Sequence, residues 1–209
     1  PVDHSSLDIS ADNFIYCTTK TVQNGKSVKL LNPGGTDILK EMSNVPIAGD
    51  PIHYWYGDLK GSSVFADIAC DTAGIYACLD ATRGKVFCYS DDGYLLYVFG
   101  ALGGGDGMFK APAAVTFHGD NAVVLDKERA SVTVFQPTRY AALIREAAGL
   151  QRELEFDKAA EKWNDVLRLN ENFELAHIAI GKIAMNAGDN AAAMENFLKG
   201  NSKSLYSKA

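Results

Sequence analysis

Leu79-Asp80 is repeated as Leu125-Asp126, and Val86 as Val132, both at a spacing of 46 residues. A repeat of this length restricts the fold more than any single residue does. Each repeat is a small unit that covers its apolar faces against its neighbours. Three stretches follow one plan: residues 5–39, 63–100 and 112–140. Each reads as a short apolar strand, a polar turn, a second strand, a charged or Gly-containing turn, and a third strand. The first two add a fourth strand. Val28 to Val86 spans 58 positions, so about a dozen extra residues separate the first two units. They lie within Met42–Gly61. In the first unit, Thr19-Lys20 takes the place of Leu-Asp.

Four-stranded units at a period of 40–50 residues are the pattern of β-propeller blades. "GGGDGMFKAPAAVTF", from Gly103, is similar to the stretch that joins blades in NHL-repeat propellers. Gly105, Gly107, Phe109 and Pro112 are the matching residues. "ADIACDTAGIYACLD" and "GKVFCYSDDGYLL" resemble the strands of one such blade. The resemblance implies that the glycines carry the chain from one blade to the innermost strand of the next. A phosphate-binding role is disfavoured, because the downstream pattern is strand, Gly119-Asp120-Asn121 turn, strand. No helix N-terminus opens there to meet an anion.

After residue 139 the period becomes 34. Phe156 and Asn190, Ala159 and Ala193, Trp163 and Phe197, and Ala147 and Gly181 are each separated by that interval. This resembles tetratricopeptide (TPR) repeats, helix hairpins that stack into a solenoid. Glu171 stands where that family often has proline. The expected fold class is therefore multi-domain, β then α: incomplete, antiparallel NHL-type blades over 1–138, then a TPR-like helical solenoid over 139–209. Two full blades and a third that stops after Phe135 are fewer than a closed ring needs. The expectation is the C-terminal part of a larger bacterial, extracytoplasmic or cell-surface protein, whose open propeller pairs with a second copy or aggregates.

Composition narrows the partners. The net charge is −6, with no basic cluster, so nucleic acid is an unsuited partner. No apolar run reaches the length of a membrane span. Cys17, Cys70, Cys78 and Cys88 show no C-x-x-C spacing and sit in apolar strands, which reads as buried thiols acting as small hydrophobes.

The resemblance supplies the chemical alternatives. Some NHL propellers are lyases with a central metal held by histidines, for which His4, His53 and His118 are the candidates. Lactonase-like propellers use central carboxylates, for which Asp8, Asp67 and Asp126 are available. Scattered histidines, and aspartates used as turn caps, are the plainer readings. No nucleophile motif occurs. The expected catalytic, cofactor and metal residues are accordingly none. The partner-binding candidate is His53-Tyr54-Trp55-Tyr56, aromatics suited to a protein, a peptide or a sugar ring. The favoured function is a non-enzymatic interaction scaffold; the alternative is a propeller enzyme of lyase or lactonase type with a central metal.

Overall fold

The computed structural model describes residues 3–23, 26–40, 47–50 and 63–209. Two compact units divide the chain, Pro1–Pro137 and Thr138–Ala209.

The first unit holds three antiparallel meander sheets. The first sheet is β1 (His4–Ile9), β2 (Ile15–Gln23) and β3 (Lys26–Leu31), in that order. The second is β4 (Phe65–Cys70), β5 (Ile75–Asp80), β6 (Lys85–Ser90) and β7 (Leu95–Phe99). The third is β10 (Pro112–His118), β11 (Asn121–Asp126) and β12 (Ser131–Phe135). A parallel pair, β8 (Ala101–Leu102) with β9 (Met108–Phe109), brackets the glycine loop.

The glycine loop thus runs from strand to strand, and β10 follows it. Gly103 N–H donates to Phe109 O and Met108 N–H to Gly105 O within the loop, and the Arg129 guanidinium donates to Gly103 O at 2.7 Å. Of the four glycines, Gly107 takes a clearly left-handed φ of 70°.

Two sequence expectations for the first sheet need correction. Its fourth strand is reduced to a bridge between Leu31 and Asp37, with Ile38 N–H donating to Leu30 O. The residues equivalent to Leu79-Asp80 are Thr18-Thr19, one position earlier than Thr19-Lys20. Register shows this: Phe65 pairs with Asp80, Pro112 with Asp126, and His4 with Thr19, each followed by a bulge. The bulge recurs at one place in all three sheets, and a sequence match cannot see it.

The sheets stack face to face. Strand side chains alternate between two faces. One face of the first sheet (Tyr16, Val28, Leu30) packs on the facing side of the second (Ile68, Tyr76, Cys78, Phe87, Tyr89). Tyr16, Tyr76 and Tyr89 form a ring stack through this core, with centroids 4.8 and 5.6 Å apart. Ile47, in the described part of the inserted segment, is buried in the same cluster. β5 is buried at every position, as a central strand with both faces covered must be.

After Asp80 and Asp126 the same turn recurs, with Gly84 and Ala130 at its left-handed position (φ 65° and 50°). A Cβ at Gly84 would lie 2.8 Å from the backbone of Ala101 and Leu102, so glycine is required there for space as well. Ala130 carries the strain of a side chain in this region. Ala130→Gly is expected to stabilise the β unit by about 0.5–1 kcal/mol. A denaturant midpoint unchanged or lowered would contradict this.

The second unit contains α1 (Arg139–Arg152), α2 (Phe156–Leu169), α3 (Glu174–Asn186), α4 (Asn190–Lys199) and the single turn α5 (Lys203–Tyr206). Thr138 caps α1 through its hydroxyl, which accepts from Ala141 N–H, and Asp189 caps α4 by accepting from Ala192 N–H. α1 packs on α2, α2 on α3, and α3 on α4. The 34-residue pairs are core pairs: Ala159, Ala193, Trp163 and Phe197 are buried. Gly181 is small by necessity, since a Cβ there would sit 2.7 Å from the Phe197 ring.

Candidate functional site

The first strands of the three sheets, β1, β4 and β10, lie side by side, and the carboxylates of Asp8 and Asp67 are placed along this row. Ser5 hydroxyl donates to Phe65 O (2.7 Å), Ser6 hydroxyl donates to Asp67 Oδ1, and Cys70 N–H donates to Asp8 Oδ2 (2.7 Å). The partner numbers rise together, so β1 and β4 run parallel. Asp67 Oδ2 accepts from Val115 N–H (2.7 Å), which ties β4 to β10. Asp8 Oδ1 accepts from Ile9 N–H. Both oxygens of Asp8 and of Asp67 are thus engaged by donors. These carboxylates staple neighbouring sheets where no strand-to-strand ladder exists.

Asp126 is elsewhere, at the end of β11, and nearly inaccessible. It accepts four backbone N–H groups, from Lys110 (2.6 Å), Ala111 (3.2 Å), Glu128 and Arg129 (both 3.1 Å). It closes its own turn and pins the end of the glycine loop. Asp80 does the same one sheet earlier, accepting from Thr82 and Arg83 N–H and from the Arg83 guanidinium. The shared pattern is Asp-x-x-Arg, Asp80 to Arg83 and Asp126 to Arg129. The 46-residue spacing carries this pattern in the sequence beside the Leu-Asp repeat. Arg83 and Lys85 also meet Asp50 of the inserted segment, at 3.7 and 2.6 Å.

Burial works against charge on Asp126, but the four N–H donors outweigh it and hold its carboxyl below the ordinary 3.8. The folded chain therefore binds this proton less readily than the unfolded chain. The resulting stability is complete above the ordinary carboxylate range and is lost as pH falls through it towards the folded value. Thermal unfolding midpoints should drop between about pH 5 and pH 3. Asp126→Asn should flatten that slope; an unchanged slope would mean other carboxyls dominate.

His4 and His118 are not brought together. His4 is the first residue of β1 and His118 the last of β10, opposite ends of the parallel row, and both are exposed. His53, with Tyr54, Trp55 and Tyr56, lies outside the described residues. Among the described residues no three His, Cys, Asp or Glu side chains form a cluster that could hold a metal ion. Cys17, Cys70, Cys78 and Cys88 are free thiols. Burial pushes the Cys17, Cys70 and Cys78 thiols above their ordinary range, which makes them poor nucleophiles.

The class defined by these elements is a β unit of stacked antiparallel meander sheets followed by an α-helical unit of stacked hairpins. No family model and no curated protein matches the chain. Among solved structures it is similar to a streptogramin B lyase (14% identity over 65% of this chain and 41% of that one, TM-score 0.36). It is similar also to a catalytically inactive virginiamycin B lyase from Staphylococcus aureus with quinupristin (8%, 67% and 43%, TM-score 0.34). A third is the nidogen/laminin complex (12%, 64% and 80%, TM-score 0.30). The first and third are β-propeller-like folds. The chain spans about two fifths of the length of each lyase. No described helix is long and apolar enough to cross a membrane.

Proposed function

We propose that this chain is a non-enzymatic scaffold for protein or peptide partners, built from NHL-type propeller blades and a TPR-type helical repeat. The observation that carries the proposal is the use of Asp8 and Asp67. The carboxylates best placed to serve as central ligands or bases have both oxygens committed to bonds between sheets. The buried thiols are equally unsuited to attack. What the chain does offer is two sets of stacked repeats, an architecture that presents extended surfaces. An extracytoplasmic bacterial location belongs to the same proposal and rests on the resemblance of the repeats.

The test pairs two measurements on the purified chain. Lactone and ester hydrolysis, with Ca²⁺ or Zn²⁺ added, should not exceed buffer rates, and an immobilised chain should select saturable binders from a random-peptide library. Hydrolysis that is lost in Asp67→Asn would overturn the scaffold reading in favour of an enzyme. Failure to select any saturable peptide would overturn the partner class.

A further inference from the structure

Asp-Gly occurs twice in the chain, at Asp92-Gly93 and at Asp106-Gly107. The pair is chemically labile where its backbone is free, because glycine has no Cβ to shield its nitrogen from the carboxyl of the residue before it. The two copies share this chemistry and have opposite surroundings.

Asp92-Gly93 is held. Gly93 is buried, and its N–H donates to Ser90 O at 2.9 Å. Asp92 is paired with Lys40 at 3.5 Å. Tyr94, next along the chain, is buried as well, and its N–H donates to Ser90 Oγ at 3.1 Å. Asp106-Gly107 is open. Asp106 is exposed, as are Gly103, Gly104 and Gly105 before it. Among the described residues the Asp106 carboxylate has no hydrogen bond or ion pair, and the Gly107 N–H has no acceptor. A Cβ at Gly104 would meet nothing within 4 Å, so the arc has room to bring the Gly107 nitrogen onto the Asp106 carboxyl.

The structure assigns Asp106-Gly107 as a site of backbone modification, at which aspartate isomerises to isoaspartate. The Gly107 nitrogen attacks Asp106 Cγ. An N–Cγ bond forms and a Cγ–O bond breaks; the oxygen leaves as water with the N–H proton and the carboxyl proton. A second water opens the cyclic imide at the Asp106 main-chain carbonyl, which becomes a carboxylate, and the chain then runs through Cγ. One water leaves and one enters, and nothing is oxidised or reduced. The product lengthens the main chain by one methylene between two fixed points. On one side, Gly103 is bonded to Phe109 O and to the Arg129 guanidinium. On the other, Phe109 is 0% exposed against Phe135, and Asp126 holds the N–H groups of Lys110 and Ala111. The added atom therefore bulges the exposed arc outward and breaks the 3.2 Å bond from Met108 N–H to Gly105 O. None of this depends on the scaffold reading.

The test is incubation of the whole folded chain in heavy-oxygen water, followed by digestion in ordinary water. Opening of the imide leaves one heavy oxygen at the site. Val86–Lys110, the tryptic peptide that holds both pairs, is fragmented by electron transfer to locate it. Asn24-Gly25, outside the described residues, falls in a different peptide and is read separately. Label at Asp106 should rise with time while Asp92 stays at background, and a protease that cuts before aspartate should lose its cut at Asp106 alone. In urea both sites should label. Asp106→Glu, which closes a larger and slower ring, should abolish label in the loop with unchanged circular dichroism. The proposal is overturned by an unlabelled Asp106, by equal labelling of Asp92 in the folded chain, or by label that persists in the loop of Asp106→Glu. An Asp92 that stays unlabelled in urea overturns it too, since the fold would not be what separates the two sites.

Discussion

Trp163→Ala is expected to destabilise the helical unit by about 3–5 kcal/mol, the usual cost of emptying a large aromatic site in a core. Trp163 is 2% exposed and fills the space between α1 and α2. Its indole N–H donates to Gln151 Oε1 at 2.9 Å, so the change also leaves an amide oxygen without its donor. Ala147, the small counterpart of Gly181, is fully buried like Trp163's neighbour Ala159, and neither can grow to refill the cavity. The helices form a compact unit of their own, Thr138–Ala209, so the helical transition is followed by itself, by urea unfolding at the helical circular dichroism band. A loss below roughly 1 kcal/mol, in the range of surface changes, would show that this position is not a core position.

Asp80→Ala should cost the β unit about 3–5 kcal/mol, the typical penalty for removing one partner of a buried ion pair. Asp80 is inaccessible, and Arg83 is nearly so. The Arg83 guanidinium reaches Asp80 Oδ2 at 2.8 Å, while its contact to Asp50 is the longer 3.7 Å. Without Asp80 the N–H groups of Thr82 and Arg83 also lose their acceptor, and the turn into β6 opens. Asp80→Asn keeps the shape and an acceptor for those N–H groups, so it should fall between wild type and Asp80→Ala. Equal losses for the two variants would place the whole effect in the charge. No loss in either would remove Asp-x-x-Arg as a structural device of the repeat.

Asp8, Asp67 and Asp126 are the carboxylates that the resemblance to lactonase-like propellers offers as candidate ligands. They belong to two different devices. Asp8 and Asp67 bridge parallel inner strands, whereas Asp126 and its counterpart Asp80 fold their own turns. Side-chain identity is the same in both cases; only the partner distinguishes them, and the partner of Asp8 is 62 residues away.

Local chemistry and periodicity determined a good deal without any coordinates. The repeat at 46 residues, the turn residues between strands, the change to a period of 34 after residue 139, and the small-with-aromatic pairing of Gly181 and Phe197 all follow from spacing. These are signals carried by a few neighbouring residues, and strands and helices bury one face at fixed intervals. Register and its consequences needed the tertiary structure. The bulge that moves the Leu-Asp equivalent to Thr18-Thr19 is one extra residue whose place depends on the partner strand. Among the described residues the fourth strand of the first sheet is reduced to the Leu31–Asp37 bridge, a pairing that depends on the partner strand. Val86 and Val132 are the same residue in the same pattern, yet one is dry and the other exposed. Burial belongs to what packs against a face, and a residue's own sequence cannot state that for a neighbour so far along the chain.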